Sequence, residues 1–301
     1  MIARKYLYLI ALAKEQHFGR AAESCHISTS TLSAAIRDIE SELGVTVVRR
    51  GQHFGGLTPE GERVLDYARQ TAARCESLRQ ELGAMQDHLT GRLRLGVIPT
   101  GLTAVASITA AFARKHPGVE IEVRSLSNRQ ILAGLRQFEL DGGIAYVDSA
   151  NDDFLTHPLW CENLVVLSPA DSALADREWL TWREAAEIPL CLLPATMHNR
   201  QTIDGVFASL GLSVKPSLET DSVVSILAHV SAGSWSSILP RAVLDQIGTP
   251  TGTRVLELRE PVVQWTTGLL VLNQAQQSPM VEALQIEAGT LSPLLWRTSG
   301  C

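Results

Sequence analysis

Between Pro59 and Pro99 the chain carries no proline, and inside that window apolar or small residues recur at Val64, Ala68, Thr71, Cys75, Leu78, Leu82, Met85 and Leu89. The spacing alternates four and three, the heptad seam of a coiled coil sustained over more than three repeats. A stripe of this kind needs something to cover it. About thirty helical residues at 1.5 Å each project roughly 45 Å, farther than a small domain can follow, so a second copy of the chain is the expected partner. The seam residues assigned to dimerisation are Val64, Ala68, Leu78, Leu82, Met85 and Leu89. The helix also divides the chain, with one region before residue 59 and a larger one after residue 89.

The region before the helix differs in charge from the rest. The whole chain of 301 residues has a net charge of -6, yet residues 1 to 58 sum to +2 with His17, His26 and His53 in addition. It is the only segment whose charge suits a polyanion. Its pattern predicts three short helices. Tyr6 to Leu12 has helical spacing; Phe18, Ala21, Ala22 and Cys25 continue a second amphipathic stretch; Ser28 is a natural N-cap for a third, through Leu32, Ile36, Ile39 and Leu43 to a stop at Gly44. The other face of this third helix shows Thr29, Ser30, Thr31, Ser33 and Arg37. Small hydroxyls permit close approach to a groove, and a guanidinium reaches phosphate or guanine.

The run Ala21-Ala22-Glu23-Ser24-Cys25-His26-Ile27-Ser28-Thr29-Ser30-Thr31-Leu32-Ser33-Ala34-Ala35-Ile36-Arg37-Asp38-Ile39-Glu40, with Glu42-Leu43-Gly44-Val45 and Leu57-Thr58-Pro59-Glu60-Gly61, resembles the winged helix-turn-helix of LysR-type transcriptional regulators. The likeness implies a third helix in the major groove, so that Ser28, Thr29, Ser30, Thr31, Ser33 and Arg37 face DNA, while Arg49, Arg50 and Thr58 flank the wing and face phosphate. Thr29 and Ala34 stand where the family commonly has long polar side chains. That loss shifts selectivity toward hydroxyls, methyl contacts and DNA shape. The wing Gly51-Gln52-His53-Phe54-Gly55-Gly56 carries no lysine or arginine of its own.

After residue 89 the pattern is α/β. Leu93, Leu95 and Val97 alternate with Arg92, Arg94 and Gly96; Val119, Ile121 and Val123 form a second strand; a helix around Ile131 to Phe138 leads to an apolar strand from Gly143 to Val147. Strand, helix, strand, helix, strand predicts a parallel, doubly wound sheet. Leu164 to Leu167, Leu190 to Leu193 and Ile238-Leu239 begin a second set, Gly268 to Leu272 returns to the first, and Pro279 opens the last helix. This layout resembles the two-lobed, periplasmic-binding-protein-like effector domain of the same family.

The expected organisation is therefore a winged helix-turn-helix over residues 1–58, a linker helix over 59–89 and an effector domain over 90–301. Its lobe I takes about 90–162 and 265–301, and its lobe II about 163–264, with crossings near Cys161 to Leu164 and Gln264 to Thr267. In open α/β sheets ligands bind beyond the carboxyl ends of strands. That rule gathers Thr100, Gly101, Asn128, Tyr146, His198, Asn199, Arg200 and Thr266 as effector-binding candidates, with helix-start amides favouring an anion.

Enzyme chemistry is not expected: there is no GxxxxGK[ST], HExxH or GxSxG, and Gly233-Ser234-Trp235-Ser236-Ser237 is not a nucleophile elbow. The alternatives are a stand-alone solute-binding protein and an α/β enzyme without a recognisable catalytic motif. No metal or other cofactor is expected, since the eight histidines lack ligand spacing and the five cysteines lack CxxC spacing. Reduced thiols in a cytoplasmic protein fit that usage, and Tyr6 to Ala13 is too short an apolar stretch to span a bilayer. The implied partners are double-stranded promoter DNA, a small and anionic effector, RNA polymerase for an activator, and copies of the chain as a homodimer or homotetramer, with no membrane.

Overall fold

The computed structural model describes residues 2–49, 54–85, 89–147 and 150–298. It divides into two compact units, Met1–Leu89 and Thr90–Cys301.

In the first unit α1 (Ile2–Glu15), α2 (Phe18–Ser24) and α3 (Thr29–Leu43) precede the long α4 (Pro59–Ala84). Ser28 caps α3 by accepting the Thr31 amide, and Gly44, with φ +66°, closes it in the left-handed conformation that glycine adopts at no steric cost. Leu9, Leu12, Ala21, Ala22, Leu32, Ile36 and Ile39 form the core with Leu65 and Ala68 of α4. At the base of the wing Val48 bridges Leu57 antiparallel. Glu40 of α3 holds its base, its carboxylate accepting the amides of Val47 at 2.8 Å and Val48 at 3.2 Å. Pro59 sits in the first turn of α4, and a Cβ on Gly61 would overlap the Val47 carbonyl, so the Leu57-to-Gly61 run is fixed by a close approach of helix to wing.

The seam on α4 splits in two. Ala68 is fully buried and Val64 packs on the headpiece core, so its first turns are covered by their own domain. Leu78, Leu82 and Met85 remain 55%, 56% and 84% exposed. The helix ends at Ala84 with Met85 as its C-cap, five residues short of the expected end, and Leu89 lies beyond it. Among the described residues of the stripe, the exposed part is therefore Leu78, Leu82 and Met85, while Val64 and Ala68 are covered within their own unit.

The second unit is built on one sheet. Strand β1 (Gly91–Val97) lies between β2 (Val119–Ser125) and β3 (Gly142–Tyr146), all three parallel. A 3-10 turn at Pro99–Gly101 leads from β1 into α5 (Leu102–Lys115), and α6 (Asn128–Arg136) connects β2 to β3. The long β4 (Phe154–Pro169) and β10 (Gln264–Leu272) run antiparallel to their neighbours, so the sheet is mixed where a purely parallel one was expected. Residues 154–163 of β4 pair with β10, whereas residues 164–169 pair with β8 (Ser237–Pro240) and β9 (Thr253–Arg259). The strand changes partners at that point. Lobe II adds β5 (Trp179–Thr181), the short pair β6 (Cys191–Leu192) and β7 (Leu218–Glu219), and helices α7 (Trp182–Ala185), α8 (His198–Ser209), α9 (Val223–Ser231) and α10 (Arg241–Ile247); α11 (Pro279–Thr298) ends the described chain. No helix among the described residues is long and apolar enough to cross a membrane.

Candidate functional site

Two surfaces carry the candidate chemistry. On the first unit Ser28, Thr29, Ser30, Thr31 and Arg37 are exposed along α3, with Ser33 half-buried and Arg49 exposed at the wing base. The Ser28 hydroxyl lies 2.8 Å from the hydroxyls of both Ser30 and Thr31, so the face is a linked hydroxyl cluster rather than a set of independent donors. Arg50 and wing residues 51–53 lie outside the described residues. Thr58 changes role. Its oxygen caps α4 by accepting the Gly61 amide at 2.9 Å, and its proton, which a phosphate would otherwise take, is donated to the Thr46 carbonyl at 2.5 Å.

On the second unit a small cavity, partly open to solvent, lies at the carboxyl ends of β1 and β3 against the start of α8. It is lined by Ile98, Pro99, Thr100, Ser127, Asn128, Tyr146, Leu193, Met197, His198 and Asn199. Five of the eight effector candidates meet there: Thr100, Asn128, Tyr146, His198 and Asn199. Thr100 and Tyr146 place their hydroxyls 3.4 Å apart. Asn128 spends its carbonyl oxygen on the Tyr146 amide at 3.3 Å. The His198 ring stacks on Tyr146 with centroids 4.4 Å apart. No side chain caps α8 or the 3-10 turn. The Asn199 side-chain nitrogen is buried without an acceptor, an orphan donor on the cavity wall.

Three candidates are elsewhere. Gly101 is buried, and a Cβ there would face Ile144, Ile98 and Val97 in the core. Arg200 is buried and fully engaged, bonding Asp204 at 2.8 Å, Glu219 at 3.2 Å and the Leu193 carbonyl at 3.0 Å. It ties α8 to β6 and β7, so its charge is structural. Thr266 does not line the cavity. Ser127 and Met197, which lie in segments the strand-end rule places at the cleft, also line it, and Leu193 joins them unexpectedly; Ser127 forms a capping box with Gln130 at the start of α6.

A buried group behind the cavity has no counterpart among the candidates. Glu162 of β4 is fully buried and accepts hydrogen bonds from Trp160 Nε1 (3.0 Å), Trp265 Nε1 (2.9 Å) and Thr267 Oγ1 (3.1 Å). Burial raises its pKa above the ordinary carboxylate value, and the three donors pull in the opposite direction. Burial also pushes the Tyr146 hydroxyl well above the usual phenol range; the charge of Glu162 adds to this, and hydrogen bonds with Thr100 and Trp265 oppose it. Cys25, Cys75 and Cys191 are free thiols, and burial pushes Cys191 up to about 11. Cys161 is disulfide-bonded, contrary to the expectation of five reduced thiols. Among the described residues no group of three or more His, Cys, Asp or Glu is placed to hold a metal ion.

Comparison with known proteins matches both units. Residues 3–62 fit the bacterial regulatory helix-turn-helix model of the lysR family, and residues 86–286 fit the LysR substrate binding domain. OxyR of Escherichia coli strain K12, a DNA-binding transcriptional dual regulator, is 28% identical over 271 residues, which cover 90% of this chain and 89% of that one. A probable hydrogen peroxide-inducible genes activator of Mycobacterium xenopi is 32% identical over 168 residues, covering 56% of this chain and 89% of its own. Among solved structures, a full-length OxyR variant from Pseudomonas aeruginosa superposes with a TM-score of 0.76 at 27% identity, over 97% of this chain and 94% of that one. CbnR in complex with its target DNA shares the fold, with a TM-score of 0.66 at 18% identity over 97% and 100% of the two chains. With a family model on each unit, the chain belongs to the LysR family of DNA-binding transcriptional regulators.

Proposed function

We propose that this regulator is cytoplasmic and answers to a small anion held in the cavity between Thr100 and Asn199, and that it binds promoter DNA through α3 as a dimer or tetramer. The observation that carries the effector reading is the orphan Asn199 nitrogen. A buried donor without an acceptor costs about 1–3 kcal/mol, and a ligand oxygen would recover that cost. The uncapped start of α8 and the hydroxyls of Thr100 and Tyr146 supply further donors around the same space.

Relatives named for hydrogen peroxide supply a second reading, with peroxide as the signal. Peroxide read by chemistry needs a reactive thiolate. No cysteine lines the cavity, and Cys191, two residues from Leu193, is buried and pushed up to about 11. Those observations count against a thiol sensor in the cavity itself; a peroxide reading would rest instead on Cys161, which is disulfide-bonded next to Glu162. On the DNA side, Ser28, Thr29, Ser30, Thr31, Ser33 and Arg37 form the groove-facing surface, with Arg49 on phosphate; Leu78, Leu82 and Met85 supply the dimer seam.

A thermal-shift screen of the full chain against small carboxylates and inorganic oxyanions, with a parallel peroxide arm, tests the reading. Stabilisation by one class of anion, reversed by dialysis, supports it. A response to peroxide alone, reversed only by a reductant, would replace it with the thiol reading.

A further inference from the structure

Glu162 occupies the point where β4 changes partners: it pairs with Trp265, the next residue pairs with Gln264, and Leu164 already pairs with Pro240 of the other lobe. Three hydrogen bonds reach its two oxygens, all of them donated to it. An ionised carboxylate can only accept, so a shell made of donors is built for the charged form. Yet the site is dry, and among the described residues no lysine, arginine or histidine pairs with it. Loss of water penalises the same charge that the donors support. The groups that face it are Trp160 on its own strand, Trp265 and Thr267 from β10, and the Tyr146 phenol from β3, beyond which His198 of α8 stacks on Tyr146. Trp265 meets Tyr146 edge-on with ring centroids 6.0 Å apart.

We propose that Glu162 is a positioning residue of the effector cavity, a carboxylate that gains and loses a proton at the lobe crossing and, through Trp265 and Tyr146, shifts the cavity wall as it does so. With the charge present, both indoles and the Thr267 hydroxyl are held on the carboxylate. When a proton arrives it takes the one lone-pair site the three donors leave open, on Oε2, and the new O–H needs an acceptor that the two indole N–H groups cannot supply, so the shell rearranges around it. The strands that carry those donors are the ones that join the lobes. The proton-dependent rearrangement therefore falls on the element that any lobe movement must use, with Tyr146 as its contact to the ligand space. The inference rests on that cavity being the effector site, but its test needs no effector.

The chain has six tryptophans and four methionines, of which Met197 lines the cavity. In full-length protein with 15N-labelled tryptophan and 13C-methyl methionine, magnetic resonance spectra recorded from pH 5 to 9 follow both ends of the path. The indole N–H signals of Trp160 and Trp265, assigned through Trp160→Phe and Trp265→Phe, are expected to move with one shared midpoint above the usual carboxylate range. Trp179, Trp182 and Trp235 should not share that midpoint, and the Met197 methyl should. In Glu162→Gln all three responses should vanish. Flat Trp160 and Trp265 signals in the wild type would overturn the proposal even if the variant does not fold. Moving indoles with a flat Met197 would sever the link to the cavity and overturn it as well. An anion that failed to bind would count against the effector reading and leave these spectra unchanged.

Discussion

Replacing Leu78 and Leu82 with aspartate puts the dimer seam at risk while sparing the monomer, because both side chains are already more than half exposed in the single chain. Burying a whole leucine contributes about 1.5–3 kcal/mol, and roughly half of each remains to be covered, which leaves about 1 kcal/mol per side chain. Four leucines across a symmetric pair then contribute about 4 kcal/mol, a factor of about 1000 in the dissociation constant. The double substitution Leu78→Asp with Leu82→Asp removes that contribution and sets carboxylates against one another in the seam. Sedimentation equilibrium should show the dimer constant weakened by at least that factor. Circular dichroism should change little, since aspartate at an exposed helical site costs only about 0.5 kcal/mol each. Affinity for operator DNA should fall in parallel, because two headpieces on one DNA gain effective concentration that one lacks. A dimer of undiminished strength in this variant would place the interface elsewhere and refute the seam.

Three further outcomes follow from the hydrogen-bonding roles of Arg200, Thr58 and Glu184. Arg200→Gln should lower the unfolding free energy of the chain in urea by about 1–3 kcal/mol, because it unties Asp204, Glu219 and the Leu193 carbonyl while both carboxylates stay half-exposed; an unchanged midpoint with weakened anion binding would restore it as a ligand contact. Thr58→Val should cost about 1 kcal/mol of headpiece stability through the lost cap, with an unchanged salt slope of DNA binding; a slope reduced by about one unit would mark a phosphate contact instead. Glu184 is held at about 2 by the Thr181 amide, Arg177 and the Thr181 hydroxyl. Because that value is depressed, its stabilisation is present above the unfolded value of about 4.3 and is lost as pH falls through about 2. The stability gap between wild type and Glu184→Gln should therefore close on acidification, and a gap constant down to pH 2 would contradict this.

The headpiece was legible because its signals are local: Ser28 and Gly44 bracket α3, and apolar residues at four- and three-residue steps face one core. The heptad seam was only half legible. Spacing reports that a stripe needs cover but not which surface supplies it, so Val64 and Ala68 read like Leu78 and Leu82 although α4 lays its first turns on its own headpiece. Strand β4 read as starting at Leu164, because Pro158 and the polar residues around it mask a strand that begins at Phe154. Of the site, Thr100, Asn128, Tyr146, His198 and Asn199 followed from the topology of strand ends. Arg200 looked like a ligand donor because its partner Glu219 is nineteen residues away, and Glu162 was missed because Trp265 and Thr267 reach it from more than a hundred residues on. The nearby signal was Trp160, two residues before Glu162 and therefore on the same face of the strand.

The effector claim is tested most directly by calorimetric titration of the anion found by screening into wild type and Asn199→Leu, with the melting temperature of each protein measured alongside. Removing an orphan donor should leave the unliganded fold as stable as before, or more stable, because the group lacks an acceptor there. The same change should weaken the anion by about 1.5–3 kcal/mol, roughly 10- to 150-fold, as for a lost hydrogen bond to a charged group. Anion affinity equal to that of the wild type in Asn199→Leu would contradict the account and move the ligand out of this cavity.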